Sequence, residues 1–89
     1  MTIHESHLDI IKRLKRAEGH LKSVIAMLEE ARPCVDVAQQ LQAVESAVGN
    51  AKQALIRDHI DHCIDHAVRE GGLTADAALA ELKTITKYL

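Results

Sequence analysis

Three residues of this chain combine the chemistry and the spacing of metal ligands: Cys34, His59 and Cys63. His59 and Cys63 are four residues apart in a segment that reads as one continuous helix. Residues with this separation lie on one face of a helix, one turn from each other. Thiolate sulfur and imidazole nitrogen suit copper, zinc, nickel and iron. The sequence therefore predicts that the pair presents two metal donors side by side.

Cys34 adds a condition on how such a site is assembled. It lies 25 positions before His59 on the same predicted helix, and at a rise of about 1.5 Å per residue this is roughly 37 Å of straight rod. One helix cannot fold back to close that gap. If Cys34 joins the pair, it must come from a second chain lying antiparallel to the first. The pattern predicts both a metal and an oligomer.

The number of donors limits which metal fits. Two thiolates and one imidazole suit three-coordinate Cu(I), whereas Zn(II) takes a fourth ligand to complete a tetrahedron. Four further histidines are candidates for an accessory ligand: His4, His7, His62 and His66. His66 follows Cys63 by three residues and shares its face, while His62 points partly aside. These histidines keep Ni(II), Co(II) and Zn(II) open as alternatives.

The same residues allow other interpretations. A free cysteine is among the most buried residue types and often only packs. Cys34 of one chain and Cys63 of another could also form a disulfide or polysulfide on oxidation, which does not require His59. A catalytic metal would need an open coordination position and a nearby acid or base, and the chain has no evident loop to build a substrate pocket. We therefore expect no enzyme and no small-molecule substrate, and a copper-storage protein is a weaker alternative.

Composition places the chain in the all-α class as a single domain over residues 1–89. Of the 89 residues, 47% are hydrophobic, yet Tyr88 is the only aromatic, and there are four Gly and one Pro. Such a core is built from Leu, Ile, Val and Ala, in a composition that favours helix over strand. A chain this short often depends on oligomerisation for stability. The sequence shows no secretory signal pattern and no membrane-length apolar run, so we expect a cytoplasmic protein with reduced thiols and no membrane partner.

Apolar periodicity predicts three helices, over about 5–30, 33–70 and 75–88. Pro33 separates the first two, because proline disfavours helix in the residue before it and is accepted in a first helical turn. The Gly71-Gly72 pair ends the second helix, and Thr74 is the predicted N-cap of the third. The apolar stripe predicted for the first helix consists of Leu8, Ile11, Leu14, Ala17, Leu21, Val24, Ile25 and Leu28.

Positive charge is concentrated in one short segment, although the net charge is −2. The basic run holds Lys12, Arg13, Lys15, Arg16 and Lys22. A local basic patch matters more than the summed charge for a polyanionic partner. The basic run therefore predicts that the first helix contacts a polyanionic partner.

Taken together, these segments resemble the copper-sensitive operon repressors (CsoR), whose relatives include nickel/cobalt-responsive (RcnR) and formaldehyde-responsive (FrmR) repressors. The similarity extends from about Leu8 to Leu89. It is carried by 13-RLKRAEGH-20, 27-MLE-29, 34-CVDV-37, 40-QL-41, 43-AV-44 and 59-HIDHC-63.

The resemblance implies a three-helix protomer, an antiparallel four-helix dimer and a tetramer made of two dimers. It implies a repressor that binds operator DNA when empty and releases it on binding its effector. On this basis we assign the contacts with DNA phosphates to Lys12, Arg13, Lys15 and Arg16 of the first helix and to Lys52 of the second. It places Cu(I) between Cys34 of one protomer and His59 and Cys63 of its partner, with Glu81 supporting the site from the third helix. Cys63 favours the copper branch, since the nickel/cobalt branch has His there.

Two departures from the copper-branch pattern bear on this assignment. No Tyr lies near Cys34 to complete a network with Glu81, because the preceding residue is Pro33. Asn50 stands where some copper sensors carry an Arg linked to DNA binding, with Lys52 nearby. Ni(II), Co(II), Zn(II) and thiol-redox signals remain alternative effectors.

Overall fold

The computed structural model describes residues 5–70 and 72–89, with side chains described for 7–62, 64–65, 69 and 76–89. The chain forms three α-helices and a final 3-10 turn: α1 (Glu5–Glu29), α2 (Cys34–Glu70), α3 (Gly72–Ile85) and the turn Thr86–Tyr88. No strand occurs in the described ranges. The all-α class and the three-helix order predicted from the sequence are confirmed.

The predicted bounds agree with those of α1 and α2 to within about one residue, but α3 both begins and ends about three residues earlier than predicted. This helix begins at Gly72, and Thr74 lies inside its first turn, so the predicted N-cap was wrong. The prediction gave the glycine pair only its role of ending a helix. Glycine is also accepted at a helix start, nearly as well as threonine.

The turn between α1 and α2 is closed by two backbone hydrogen bonds. The Arg32 N–H donates to the Met27 carbonyl at 3.0 Å, and the Ala31 N–H donates to the Leu28 carbonyl at 3.1 Å. This is the Schellman pattern that ends many helices. Its left-handed position is occupied by Ala31, with φ 56°, where glycine is the usual residue. The turn ends α1 and brings the chain to Cys34, the first residue of α2.

Two compact units divide the chain within α2, one ending at Lys52 and the other beginning at Gln53. In the first unit, α1 and the first part of α2 form an antiparallel hairpin, since Val24 packs with Val37 and Val44. The buried residues lie seven apart on both helices, at Ile10, Ala17 and Val24 of α1 and at Val37, Val44 and Ala51 of α2. A seven-residue repeat keeps one narrow seam of each helix facing its neighbour.

Much of the predicted apolar stripe of α1 lies outside this seam. Leu14 and Leu21 are each 42% exposed and Leu28 is 59% exposed, so the sequence overstated what one chain buries. The physical reason is that a single neighbouring helix covers only one strip of an amphipathic helix. Ile10, which the stripe left out, is buried instead.

The second unit contains the end of α2, α3 and the 3-10 turn. Ile56 of α2 and Ala78 of α3 are buried in it. After α3, the Thr86 hydroxyl donates to the Lys83 carbonyl at 2.7 Å. None of the described helices has the length and apolar character required to cross a bilayer.

Candidate metal centre and nucleic-acid interface

His59 is the predicted metal ligand whose surroundings the structure describes most fully. It lies on α2 in the second unit, with a side chain 30% exposed, and its Nε2 lies 3.5 Å from Oε1 of Glu81 on α3. Nε2 itself is shielded from solvent and makes no hydrogen bond. The two observations agree, because 3.5 Å is longer than the about 2.7–3.2 Å of a hydrogen bond. The Nε2 atom is thus buried beside a carboxylate but makes no hydrogen bond to it.

This arrangement fits a metal-binding histidine. Such histidines commonly donate the N–H of one ring nitrogen to a carboxylate, which fixes the tautomer and leaves the other nitrogen for the metal. Glu81 beside Nε2 would assign the N–H to Nε2 and the metal-binding lone pair to Nδ1. A small approach of the carboxylate would turn the contact into a hydrogen bond and satisfy the buried nitrogen.

Cys34 lies in the first unit, as the first residue of α2, and its thiol is free and exposed. The Pro33 carbonyl, just before it, accepts a hydrogen bond from the Val37 N–H at 3.2 Å and so opens the helix. The thiol is therefore presented on a fixed helix end and is accessible to a partner. This accessibility agrees with the expectation that, in a complete metal site, Cys34 comes from a different chain than His59 and Cys63.

The remaining candidate ligands are described only in part. Cys63 and His66 lie on α2, but their side chains are outside the described residues, as is the whole of His4. His62 is exposed on α2 and His7 is half-buried on α1. Within the described part of the chain, no three His, Cys, Asp or Glu side chains converge on a point where a metal could sit.

The basic residues of α1 are exposed but do not share a single face. Arg13 and Arg16 line a cleft between α1 and α2. Lys15 instead borders a groove on another side of α1, together with Ile11, Leu14 and Glu18. Lys12 is exposed on α1 and Lys52 is exposed on α2, and neither is among the residues lining the cleft. The predicted DNA-binding residues therefore lie on more than one surface of the hairpin.

The cleft, which we call the basic cleft, has a volume of about 350 Å³ and is lined by Arg13, Arg16, Ala17, His20, Ala47 and Asn50. His20 Nε2 lies 2.6 Å from Oε1 of Gln40, which links the two helices across the hairpin. His20 and Asn50 were not among the predicted site residues. For His20 the signal was available, because positions 13, 16 and 20 follow the spacing of one helix face. Asn50 depends on the packing of α2 against α1, which spacing does not give.

A helical chain with an exposed thiol, a half-buried imidazole and a basic cleft is suited to a regulator that senses a soft metal. Comparison with protein families identifies the class directly, since residues 6–88 match the model of the metal-sensitive transcriptional repressors. The chain belongs to this family. Its members are transcriptional repressors and not enzymes, as the sequence led us to expect.

Individual relatives respond to different metals. The chain is 44% identical over 70 residues to the copper-sensing transcriptional repressor RicR of Mycobacterium tuberculosis, covering 79% of this chain and 73% of that protein. Among solved structures, the nickel-responsive regulator InrS aligns with TM-score 0.84 and 35% identity over 99% of this chain and 97% of that one. The Cu(I)-bound repressor CsoR from Geobacillus thermodenitrificans aligns with TM-score 0.81 and 34% identity, over 99% and 90% of the two chains.

Proposed function

We propose that this chain is a Cu(I)-responsive repressor, which binds operator DNA without metal and releases it when Cu(I) binds between protomers. In this proposal Cys34 of one protomer and His59 and Cys63 of its partner are the ligands. The observation that carries the proposal is the buried, unsatisfied Nε2 of His59 beside Glu81. A carboxylate at one ring nitrogen is the usual support for a histidine that binds metal through the other.

The division of the ligands between two chains rests on the course of α2. Cys34 and His59 belong to this one helix and are separated by 25 residues of it. A continuous helix cannot fold back on itself to join them, so the proposal completes the ligand set from a second copy.

Exposed apolar surface supports the presence of that second copy. Leu14, Leu21 and Leu28 form a seven-residue repeat on α1 and are between 42% and 59% exposed. Leu41 and Val48 continue such a repeat on α2, at 44% and 45% exposed. Repeated apolar residues of this spacing favour helix packing against a partner. The dimer and the tetramer of two dimers are therefore part of the proposal.

DNA binding in the proposal uses the exposed basic residues of α1 together with Lys52 of α2. These side chains neutralise phosphates, which gives affinity that depends strongly on salt and little on sequence. A helix-turn-helix reading motif is not evident in the sequence, so sequence-dependent DNA shape would contribute to the choice of operator.

Copper is preferred over nickel because of the donor set. Two cysteine thiolates are soft ligands that select Cu(I), and together with one imidazole they make a three-coordinate site. Similarity to the nickel-responsive InrS and the additional histidines make a Ni(II), Co(II) or Zn(II) response the second candidate. A thiol-redox response through Cys34 and Cys63 is the third.

Coupling between metal and DNA follows from the shared ligand set. Cys34 of one protomer and His59 and Cys63 of its partner would hold the ion together, and this would favour arrangements of the dimer that bring Cys34 close to His59. A change in that arrangement alters the spacing of basic surfaces across the assembly. Release requires that the metal bind the DNA complex more weakly than the free protein, by a few kcal/mol in binding free energy. The coupling is reciprocal, since DNA then weakens metal binding by the same amount.

The proposal is tested by anaerobic fluorescence anisotropy of a labelled promoter fragment from the protein's own gene. Metal-free protein is titrated first, and Cu(I), Ni(II) and Zn(II) are then added to separate samples of the complex. Release at one Cu(I) per protomer, with little effect of the other metals, is the expected result. Tight binding that ignores Cu(I) but yields to Ni(II) or to an oxidant would overturn the assigned effector.

A further inference from the structure

An Asp-His dipeptide is repeated near the end of α2. The segment 58-DHIDHCIDH-66 holds it three times, with the histidines at positions 59, 62 and 66. Steps of three and four residues place side chains on one side of a helix, and α2 runs without interruption through this segment. The proposed copper site uses only the first of these histidines as a ligand. We propose that the other two, His62 and His66, form a separate metal site, which takes one divalent cation, Zn(II) or Ni(II), per protomer.

The spacing of the two histidines is that of a metal chelate on a helix. His66 follows His62 by four residues on α2, and residues at this separation share one face, one turn apart. The same separation on a helix provides the two histidine ligands of zinc in the His-Glu-x-x-His motif. Imidazole nitrogen suits Zn(II) and Ni(II). Both donors come from one helix, so this site needs neither a thiolate nor a second protomer.

The structure distinguishes His62 from His59. The Nε2 atom of His59 is shielded from solvent and lies 3.5 Å from Oε1 of Glu81 on α3. His62, three residues further along α2, is exposed. An imidazole has two ring nitrogens, so a partner at one of them leaves the other for a metal. His62 is therefore accessible to a hydrated cation, whereas His59 is in contact with α3.

The carboxylates of the repeat favour a cation at this end of α2. The segment 58–66 contains three aspartates and no lysine or arginine, which makes the local potential negative. Arg69 lies just beyond it, and its Nε is 3.2 Å from Oδ1 of Asp65, so a carboxylate already offsets this positive charge. Asp58 is half-buried one turn before His62. A carboxylate near a metal-bound histidine commonly holds the second ring nitrogen, and we assign this supporting role to Asp58.

The first experiment is a calorimetric titration with Zn(II) of the full-length protein carrying Cys34→Ser and Cys63→Ser. These two changes remove the thiolates, which would otherwise bind the same ion. We expect one Zn(II) per protomer. His62→Gln and His66→Gln should each abolish this binding, while His20→Gln, which removes a histidine from α1, should leave it unchanged. Far-UV circular dichroism checks that helix content is equal in all variants.

Two aspartate variants test the supporting carboxylate in the same thiol-free protein. Asp58→Asn and Asp61→Asn each remove one negative charge from the repeat, but only Asp58 lies one turn from His62. Asp58→Asn should weaken Zn(II) binding about tenfold, the lower end of the range for a group that orients a metal ligand. Asp61→Asn should have a much smaller effect, since it changes only the local charge.

A paramagnetic ion locates the site independently of affinity. Ni(II) added to the thiol-free protein should broaden the ring resonances of His62 and His66 in NMR spectra before those of His20. Broadening of all histidines together, or no saturable Zn(II) binding, would overturn the proposal. Binding that survives His62→Gln or His66→Gln would do the same. Loss of binding in His59→Gln would assign the ion to the copper ligands and refute a separate site. None of these measurements uses DNA or Cu(I), so they do not depend on the proposed function.

Discussion

Replacing Ala31 with glycine should stabilise the protein, because Ala31 occupies a backbone conformation that suits glycine. Its φ of 56° lies in the left-handed region, which costs an alanine roughly 1–2 kcal/mol. Glycine removes this strain but loses more conformational freedom on folding, by about 0.5–1 kcal/mol. The difference leaves a net gain of about 0.5–1 kcal/mol in the free energy of unfolding. The two hydrogen bonds of the turn use only backbone groups and are retained in Ala31→Gly.

Thermal denaturation measured by circular dichroism tests this gain. For a domain of this size, 1 kcal/mol corresponds to about 4–8 °C in Tm, so Ala31→Gly should raise Tm by a few degrees. All variants are compared at the same protomer concentration, because association shifts the apparent stability of an oligomer. The turn leads directly to Cys34. Because its backbone hydrogen bonds are retained, the variant should also keep Cu(I) affinity.

The matched control is Ala38→Gly, on the exposed side of α2. Ala38 is helical, so glycine there should cost about 1 kcal/mol. The same chemical change is thus expected to act in opposite directions at the two positions. A lower Tm for Ala31→Gly, or equal losses for both variants, would refute the strain assigned to the turn.

Three further substitutions test the core, the metal centre and the DNA surface. Val24→Ala should lower the free energy of unfolding by about 2 kcal/mol, measured by urea denaturation, because Val24 is 1% exposed within the valine cluster; a loss below a few tenths would argue against this core. Glu81→Gln should weaken Cu(I) binding about tenfold in competition with a chromophoric chelator, and an unchanged affinity would remove Glu81 from the site. His59→Ala should keep more Cu(I) affinity than Cys34→Ala yet no longer release DNA, and normal release by the His59 variant in the anisotropy assay would count against His59 as the switch.

The helices were predictable from local signals, but the surfaces they bury were less so. Pro33 and the apolar periodicity located α1 and α2 closely, since these signals act within a few residues of sequence. Leu14 and Leu21 show the limit of the periodicity. It identifies an apolar side of α1 but not which strip α2 covers. Which strip is covered depends on how the two helices pack, and apolar spacing within one helix does not predict this.

The candidate site was predictable in its chemistry rather than in its contacts. Cys34, His59 and Cys63 were chosen from residue type and spacing, and their joint role as ligands stays a prediction. Glu81 was assigned from the family resemblance, because no spacing rule relates positions on α2 and α3; the structure places its carboxylate 3.5 Å from His59 Nε2. The pairing of His20 with Gln40 is equally invisible in the sequence, since the partners are 20 positions apart.

The seven-residue seam of the α1–α2 hairpin restricts how this chain can change in length during evolution. Inserting one residue into α1 or α2 rotates every later side chain by about 100° around the helix axis. Such an insertion between Val37 and Val44 would move one of them out of the seam. Length changes are therefore tolerated in this hairpin mainly in whole repeats, or in the turn around Ala31, where no seam residue lies.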